Sequence, residues 1–302
     1  MHGVLVVAKP AGPTSHDVVA LVRRLAATRR IGHGGTLDPF ASGVLPLFLG
    51  GATRVVEYHL GDAKAYRATV CFGAASTTDD LDGELTPSDG TPPDRAAVEA
   101  ALEAMTGEQL QRPPAYSAIQ VAGRRAYAMA RAGEAVELPL RQVTIKELRL
   151  LEWDGTDPVR PIAIVDVRCS AGTYVRAFAR DLGERLGTAA YLCALVRTAS
   201  GPFRLDDAHA LDEIRAAAAT GGPEGVRKLL LPVDAGLDAM PAIELTDAEI
   251  ADATQGRFVR PAAGVLAAED GVAVRLMDGA GAIVGLGRRE GARVAPTKIL
   301  QR

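Results

Sequence analysis

Asp38 stands in the run Ile31-Gly32-His33-Gly34-Gly35-Thr36-Leu37-Asp38-Pro39. Glycines at 32, 34 and 35 and a proline at 39 exclude a helix interior and predict a shaped loop. The glycines let backbone and ligand approach closely, and Pro39 fixes the exit of the chain. A carboxylate held this way can serve as nucleophile or base; it can equally cap a turn or a following helix. Tyr174 and Arg176 follow the turn Ser170-Ala171-Gly172. A helix starting there favours negative charge at its N-terminus, and its arginine can pair with a carboxylate or phosphate, or simply stand on the surface. Tyr66 opens a strand beside Lys64 and Arg67, where its ring can stack on a base or pack as an ordinary strand tyrosine.

Other chemistries lack their signatures. There is no GxxxxGK[ST] phosphate loop, no GxSxG and no HExxH, and the Gly32–Gly35 run does not match a dinucleotide fingerprint. Cys71, Cys169 and Cys193 are widely spaced, without a CxxC pair. That pattern disfavours a zinc site or a disulfide framework and predicts small buried thiols in a reducing cytoplasm.

These residues need elements to position them. Gly3–Ala8 reads as a buried strand stopped by Lys9-Pro10-Ala11-Gly12-Pro13. Thr14 and Asp17 have capping-box spacing, and Val18, Leu21, Val22 and Leu25 follow as the apolar stripe of a helix. Strands are predicted over 66–72, 143–151 and 162–169, and a helix over 98–105. The acidic stretch Asp79–Pro93 reads as a solvated loop. Val175, Phe178, Ala179, Leu182 and Leu186 mark a helix opening at Thr173, and Ala216–Gly222 reads as a helix end and loop. The texture changes near 232–240 to a mostly β module with a helix over 246–256 and strands over 272–276 and 282–287.

With 302 residues, 48% of them hydrophobic and 24% charged, the chain is not dominated by disorder, and no apolar run is long enough for a membrane-spanning helix. The strand-like start at Met1–Ala8 does not resemble a secretory leader. The net charge of −3 speaks against nucleic acid, but it is unevenly spread. Residues 1–60 carry a net +3, 61–110 carry −7, and 111–151 and 160–204 carry +4 each. Basic segments sharing one face can follow a phosphate backbone.

Together these segments resemble a known family. Lys9-Pro10-Ala11-Gly12-Pro13-Thr14-Ser15, Gly32–Pro39 continuing through Ser42-Gly43-Val44-Leu45-Pro46, Lys64-Ala65-Tyr66, Pro113–Ala118 and Gly172–Arg176 are similar, in order, to motifs of the bacterial TruB-type tRNA pseudouridine-55 synthases. The resemblance implies an α+β catalytic domain over 1–232, with a pseudouridine-synthase fold on a mixed, mainly antiparallel sheet, and a small β-rich PUA-like RNA-binding domain over 233–302. It implies that a T-loop uridine of tRNA is isomerised by glycosidic cleavage, base rotation and C5–C1′ bond formation. No metal or organic cofactor is implied. By the same resemblance Asp38 is the catalytic carboxylate, as nucleophile or base. Tyr66 stacks on the flipped uracil or takes its C5 proton, and Arg176 partners Asp38, holding its carboxyl ionised at a lowered pKa. His33 fills space near the flipped base, Tyr174 and Leu195 wall the pocket, and Lys9 and Pro10 shape the adjoining loop. A monomer without an obligatory protein partner, acting on tRNA in the cytoplasm, is expected.

Three expectations can fail on structural grounds. The acids of 79–108 should point away from the Asp38 cleft. Arg112, Arg124, Arg125 and Arg131 should contribute RNA contacts. The chain lacks long basic extensions, which argues against the related RNA-guided synthases. Three alternatives stay open on the residues alone: an RNA-folding chaperone without chemistry, a glycoside hydrolase using Asp38 with a second acid, and a related synthase acting on ribosomal RNA.

Overall fold

The computed structural model describes residues 1–300 apart from 118, 122, 133, 135–137 and 262–268, and of 120, 121, 125, 128, 130 and 131 it describes the backbone alone. The chain builds a mixed ten-stranded sheet. Its path runs His209–Ala210, Gly3–Lys9, Ser42–Leu49, Ala190–Ser200, Lys64–Phe72, Ile162–Cys169, Arg141–Asp154 and Gly107–Gln111. Ile31–His33 pairs with Ser42–Leu49, and Phe203–Arg204 with Ala190–Ser200. Two pairings are parallel, Gly3–Lys9 with His209–Ala210 and Ala190–Ser200 with Ser42–Leu49; the other pairs in this sheet are antiparallel.

The continuous apolar run of the first strand has a simple cause. Leu5 and Val7 face one core with the helices Ser15–Leu25, Arg95–Ala104, Val175–Arg185 and Leu211–Arg227. Val4 and Val6 face the opposite core, where Val44, Phe48 and Phe203 meet Leu237, Ile283, Leu286 and Leu300. Both faces of the strand are therefore buried, and alternation disappears from its sequence.

The expected capping box at Thr14 and Asp17 is present on Ser15–Leu25. The strands predicted over 66–72, 143–151 and 162–169 extend to Lys64–Phe72, Arg141–Asp154 and Ile162–Cys169. A C-terminal β domain is present: Ala242–Glu244, Ala273–Met277, Ile283–Glu290 and Arg293–Ile299 form a four-stranded sheet with the helix Asp247–Thr254. Its own core holds Ile243, Ala253, Val274, Leu276 and Val294.

Several expectations need correction. The Asp79–Pro93 stretch is not only a solvated loop, because Leu85–Pro87 pairs with Ala74–Ser76 and Asp80 is buried. The helix expected from Thr173 begins at Val175. The helix Leu211–Arg227 resumes after a break at Gly222 (φ 58°, ψ −147°), just before Pro223. The strand Ala190–Ser200 has no clear period-2 signature, because bulges at Leu192/Ala194 and Arg197/Ala199 shift its inward positions. The thiols are also not all free: Cys71 and Cys193, on adjacent strands, form a disulfide, while Cys169 is free and buried. A spacing of 122 residues carries no sign of that pairing; Tyr191 stands opposite Cys71, and the bulge at Leu192/Ala194 leaves Cys193, close by, without a ladder partner.

Candidate active site

A cleft of about 480 Å³ opens between the Gly34–Asp38 loop, the Lys64–Phe72 and Ala190–Ser200 strands, and the Ser170–Arg176 turn. It is lined by Asp38, Tyr66, Tyr174, Arg176 and Leu195, so five of the predicted site residues come together. Arg197, Tyr116 and Tyr127 complete much of the wall.

Asp38 is placed by hydrogen bonds on either side of it. Ser15 Oγ, buried at the head of its helix, donates to the Leu37 carbonyl and accepts from the Leu37 N–H, both at 2.9 Å. Lys9 Nζ donates to the carbonyls of Pro10, Pro13 and Pro39 at 2.9, 2.8 and 3.3 Å. Lys9 thus ties the Pro10–Pro13 turn to the exit of the Asp38 loop without lining the cleft. Burial pulls its ammonium down to about 8, against the opposing pull of Asp38.

Arg176 Nε lies 3.0 Å from Asp38 Oδ2. The contact is an ion pair, and it pulls the Asp38 carboxyl down against the effect of its burial. The rest of the guanidinium is fully engaged. Nη1 meets the Thr78 carbonyl at 3.1 Å and Asp80 Oδ2 at 3.2 Å, and Nη2 donates to the Tyr116 carbonyl at 3.0 Å. Asp80 is fixed by Thr78 Oγ1 and the Asp82 N–H. One turn further on, Arg180 pairs with Asp79 at 2.8 Å.

This geometry corrects two expectations. Asp79 and Asp80 do not point away with the other acids of 79–108; they turn inward as partners of the two arginines. Asp80 stands behind Arg176 and does not line the cleft, so it offers no second acid to a substrate there. Nor is the Asp38 carboxyl lowered. Burial pushes it above the ordinary carboxylate range, Asp80 adds to that, and Arg176 and Lys9 offset only part. Arg176 also pairs with Asp80, and its pull on Asp38 does not outweigh the burial of that carboxyl.

Tyr66 is half-buried, and its hydroxyl is hydrogen-bonded to Arg197, its cross-strand neighbour. Burial raises the hydroxyl; Arg197 works in the opposite direction. Arg197 was not apparent from the sequence. It is 1% exposed, and its guanidinium donates to the carbonyls of Val44, Thr36 and Gly35 at 2.7, 3.3 and 3.1 Å. It therefore braces the Gly34–Asp38 loop against the strand that carries Leu195. Gly43 permits this approach: a Cβ there, at φ 111°, would meet the Arg197 carbonyl oxygen at 2.2 Å. The available signal was an arginine two positions from Leu195, on the same strand face.

His33 stands off this group. It ends the Ile31–His33 strand, its Nδ1 accepts from the Gly35 N–H at 3.3 Å, and its ring meets His16 edge-on. Burial and the neighbouring charges lower its pKa, favouring the neutral ring. Pro10 is exposed and contributes its carbonyl to Lys9. Arg112 is exposed and Arg124 is paired with Glu134 at 2.7 Å; the side chains of Arg125 and Arg131 lie outside the described residues. Among the described residues no cluster of three or more His, Cys, Asp or Glu could hold a metal ion, and no helix is long and apolar enough to cross a membrane.

An ion-paired carboxylate on the floor of an aromatic-walled cleft marks a catalytic domain. Residues 23–175 match the model of the TruB family pseudouridylate synthase N-terminal domain, and 176–238 that of the tRNA pseudouridylate synthase B C-terminal domain. The chain is 45% identical over 264 residues to the tRNA pseudouridine synthase B of Geobacillus kaustophilus, covering 86% of this chain and 91% of that protein. It is 43% identical over 295 residues to the protein of the same name from Moorella thermoacetica, covering 95% and 94%. A solved structure of an H/ACA RNP bound to a substrate RNA containing 2′-deoxyuridine is similar at a TM-score of 0.74 and 26% identity, over 99% of this chain and 85% of that one. The fold is that of a pseudouridine synthase. The chain belongs to the TruB family of pseudouridylate synthases.

Proposed function

We propose that this chain isomerises the T-loop uridine of tRNA, uridine-55, to pseudouridine. The observation that carries the reading is the Asp38–Arg176 ion pair on the floor of a cleft walled by Tyr66, Tyr174 and Leu195. The names of its relatives supply the substrate class. Breaking the N1–C1′ bond builds positive charge on the sugar, which a fixed carboxylate offsets, and the volume of the cleft suits one flipped nucleotide. Asp38 acts on the nucleotide as nucleophile or base. Tyr66 stacks on the uracil; proton acceptance from C5 requires its hydroxyl to give up its own proton, which burial opposes and the Arg197 guanidinium favours in part. Tyr174 and Leu195 wall the base, His33 fills space near the flipped base, and Lys9 and Pro10 shape the loop beside the site. The catalytic unit is 1–232, and 233–302 is a PUA-like RNA-binding domain. The T-arm of tRNA is the partner. Action as a monomer in the cytoplasm, without an obligatory protein partner or cofactor, belongs to the same proposal.

The test is tritium release from tRNA carrying 5-³H-uridine, comparing the wild type with Asp38→Ala. Label leaves C5 only when the base re-attaches through that carbon. Release by the wild type, with none by a variant that still binds tRNA, supports the reading. Binding without release by either protein would replace it with a chaperone role, and free uracil as product with a hydrolase.

A further inference from the structure

Gln111 ends the edge strand Gly107–Gln111 and is 2% exposed. It does not line the cleft. Its amide nitrogen donates to the Tyr174 carbonyl at 3.1 Å, and its amide oxygen accepts from the Tyr174 N–H at 2.8 Å. A primary amide carries a donor and an acceptor side by side, so one side chain closes both bonds to one backbone unit. Tyr174 is the N-cap residue of the helix Val175–Arg185, and it makes no side-chain cap hydrogen bond. The orientation with which that helix leaves the Ser170–Thr173 turn is therefore set from outside it, by Gln111. Arg176 comes two residues later. The segment after Gln111 adds two more ties: the Arg112 carbonyl accepts from Arg180 at 2.8 Å, and the Tyr116 carbonyl from Arg176 at 3.0 Å.

We propose that Gln111 is a positioning residue for the isomerisation, fixing the Tyr174 backbone and, through it, the aim of the Tyr174 ring and of the Arg176 guanidinium toward Asp38. This rests on the reaction proposed above. The leverage comes from the Arg176–Asp38 ion pair, whose geometry depends on where the helix starts, one residue before Arg176. Gln111→Met keeps length and burial but removes both bonds. Gln111→Glu keeps the acceptor and turns a second oxygen toward the Tyr174 carbonyl.

The experiment is single-turnover tritium release at saturating enzyme, with tRNA binding and thermal melting measured in parallel. Gln111→Met should lower the rate constant by ~10- to 100-fold, the loss associated with a displacement of about 1 Å. The tRNA Kd should stay within about threefold, because the substitution removes an interaction used in the reaction rather than in binding. Gln111→Glu should fall at least as far. The acid limb of the rate should also move to higher pH. Asp38 faces Arg176 with Asp80 behind it, Lys9, the Tyr66–Arg197 pair and Tyr174, and of the cations among these Arg176 is the one whose place depends on Gln111. In an Arg176→Lys background the same Met substitution should cost much less than in the wild type. A lower melting temperature with an unchanged rate per folded molecule and an unmoved acid limb would reduce Gln111 to packing. Full additivity with Arg176→Lys would overturn the proposed route through the arginine. No release by the wild type would overturn the reaction itself, whereas release by the wild type and variants alike would overturn this inference alone.

Discussion

Replacing Arg176 by glutamine tests the electrostatic logic of the site most directly. At 3.0 Å and an effective dielectric of about 20, the Arg176–Asp38 attraction is about 5 kcal/mol. The Asp38 side chain is 36% exposed, so solvent screens part of this, and the guanidinium is shared with Asp80. Roughly 2–3 kcal/mol remains. Losing it should move the Asp38 carboxyl further upward, because among the charges that lower it only Lys9 would then oppose its burial. A rate that needs ionised Asp38 would then fail at a higher pH than in the wild type. The assay is single-turnover tritium release as a function of pH. The Arg176→Gln plateau should drop on the order of 100-fold once the charged partner of the reacting carboxylate is gone. Arg176→Lys keeps the charge without the fork, so its acid limb should move less than half as far. An acid limb for Arg176→Gln that stays in place or moves down would refute the argument, because the cation could then not be what opposes burial at Asp38.

Two further predictions concern the surroundings. Lys9 has a folded-state pKa of about 8 against 10.5, so the unfolded chain binds the extra proton between those values and stability due to Lys9 should rise with pH across that window. Urea melts of Lys9→Met should show a shallower rise from pH 8 to 10.5, the slopes differing by roughly 3 kcal/mol over the interval; equal slopes would place the titration elsewhere. Charge reversal at Arg124 and Arg125 should weaken tRNA binding and reduce the salt slope by about one for each phosphate no longer neutralised, and an unchanged slope would move the RNA path off this segment.

Most of the site was legible because its residues lie in short runs whose backbone is unusual. The glycines and Pro39 around Asp38, and Gly172 before Tyr174 and Arg176, announce shaped loops, and the cleft is built from those loops. What was not legible depends on register. Leu195 and Arg197 face the cleft because a bulge beside Cys193 breaks the alternation that began at Leu192. The same adjacency brings Cys193 to Cys71. Gln111 has no local signature either, since a glutamine that clamps a backbone 63 residues away looks like any other glutamine. The pKa of Asp38 was misjudged for a related reason. The sequence shows an arginine that can pair, but neither the burial that pushes the carboxyl up nor the second carboxylate beside it.

The same competition bears on how a chain with a net charge of −3 can present a basic face to RNA. The segment 61–110 holds the largest acidic excess, yet Asp79 and Asp80 are spent inside the protein on Arg180 and Arg176. Asp82, Glu84, Asp89, Glu99 and Glu103 are exposed and line no wall of the cleft. Acidity in the composition is thus divided between internal braces and solvated surface. The formal charge of the chain says little about the field at the site, because a buried carboxylate paired with a buried guanidinium is nearly invisible at the distance of a Debye length. The carboxylate that Arg176 offsets only in part is the one that lines the cleft, Asp38.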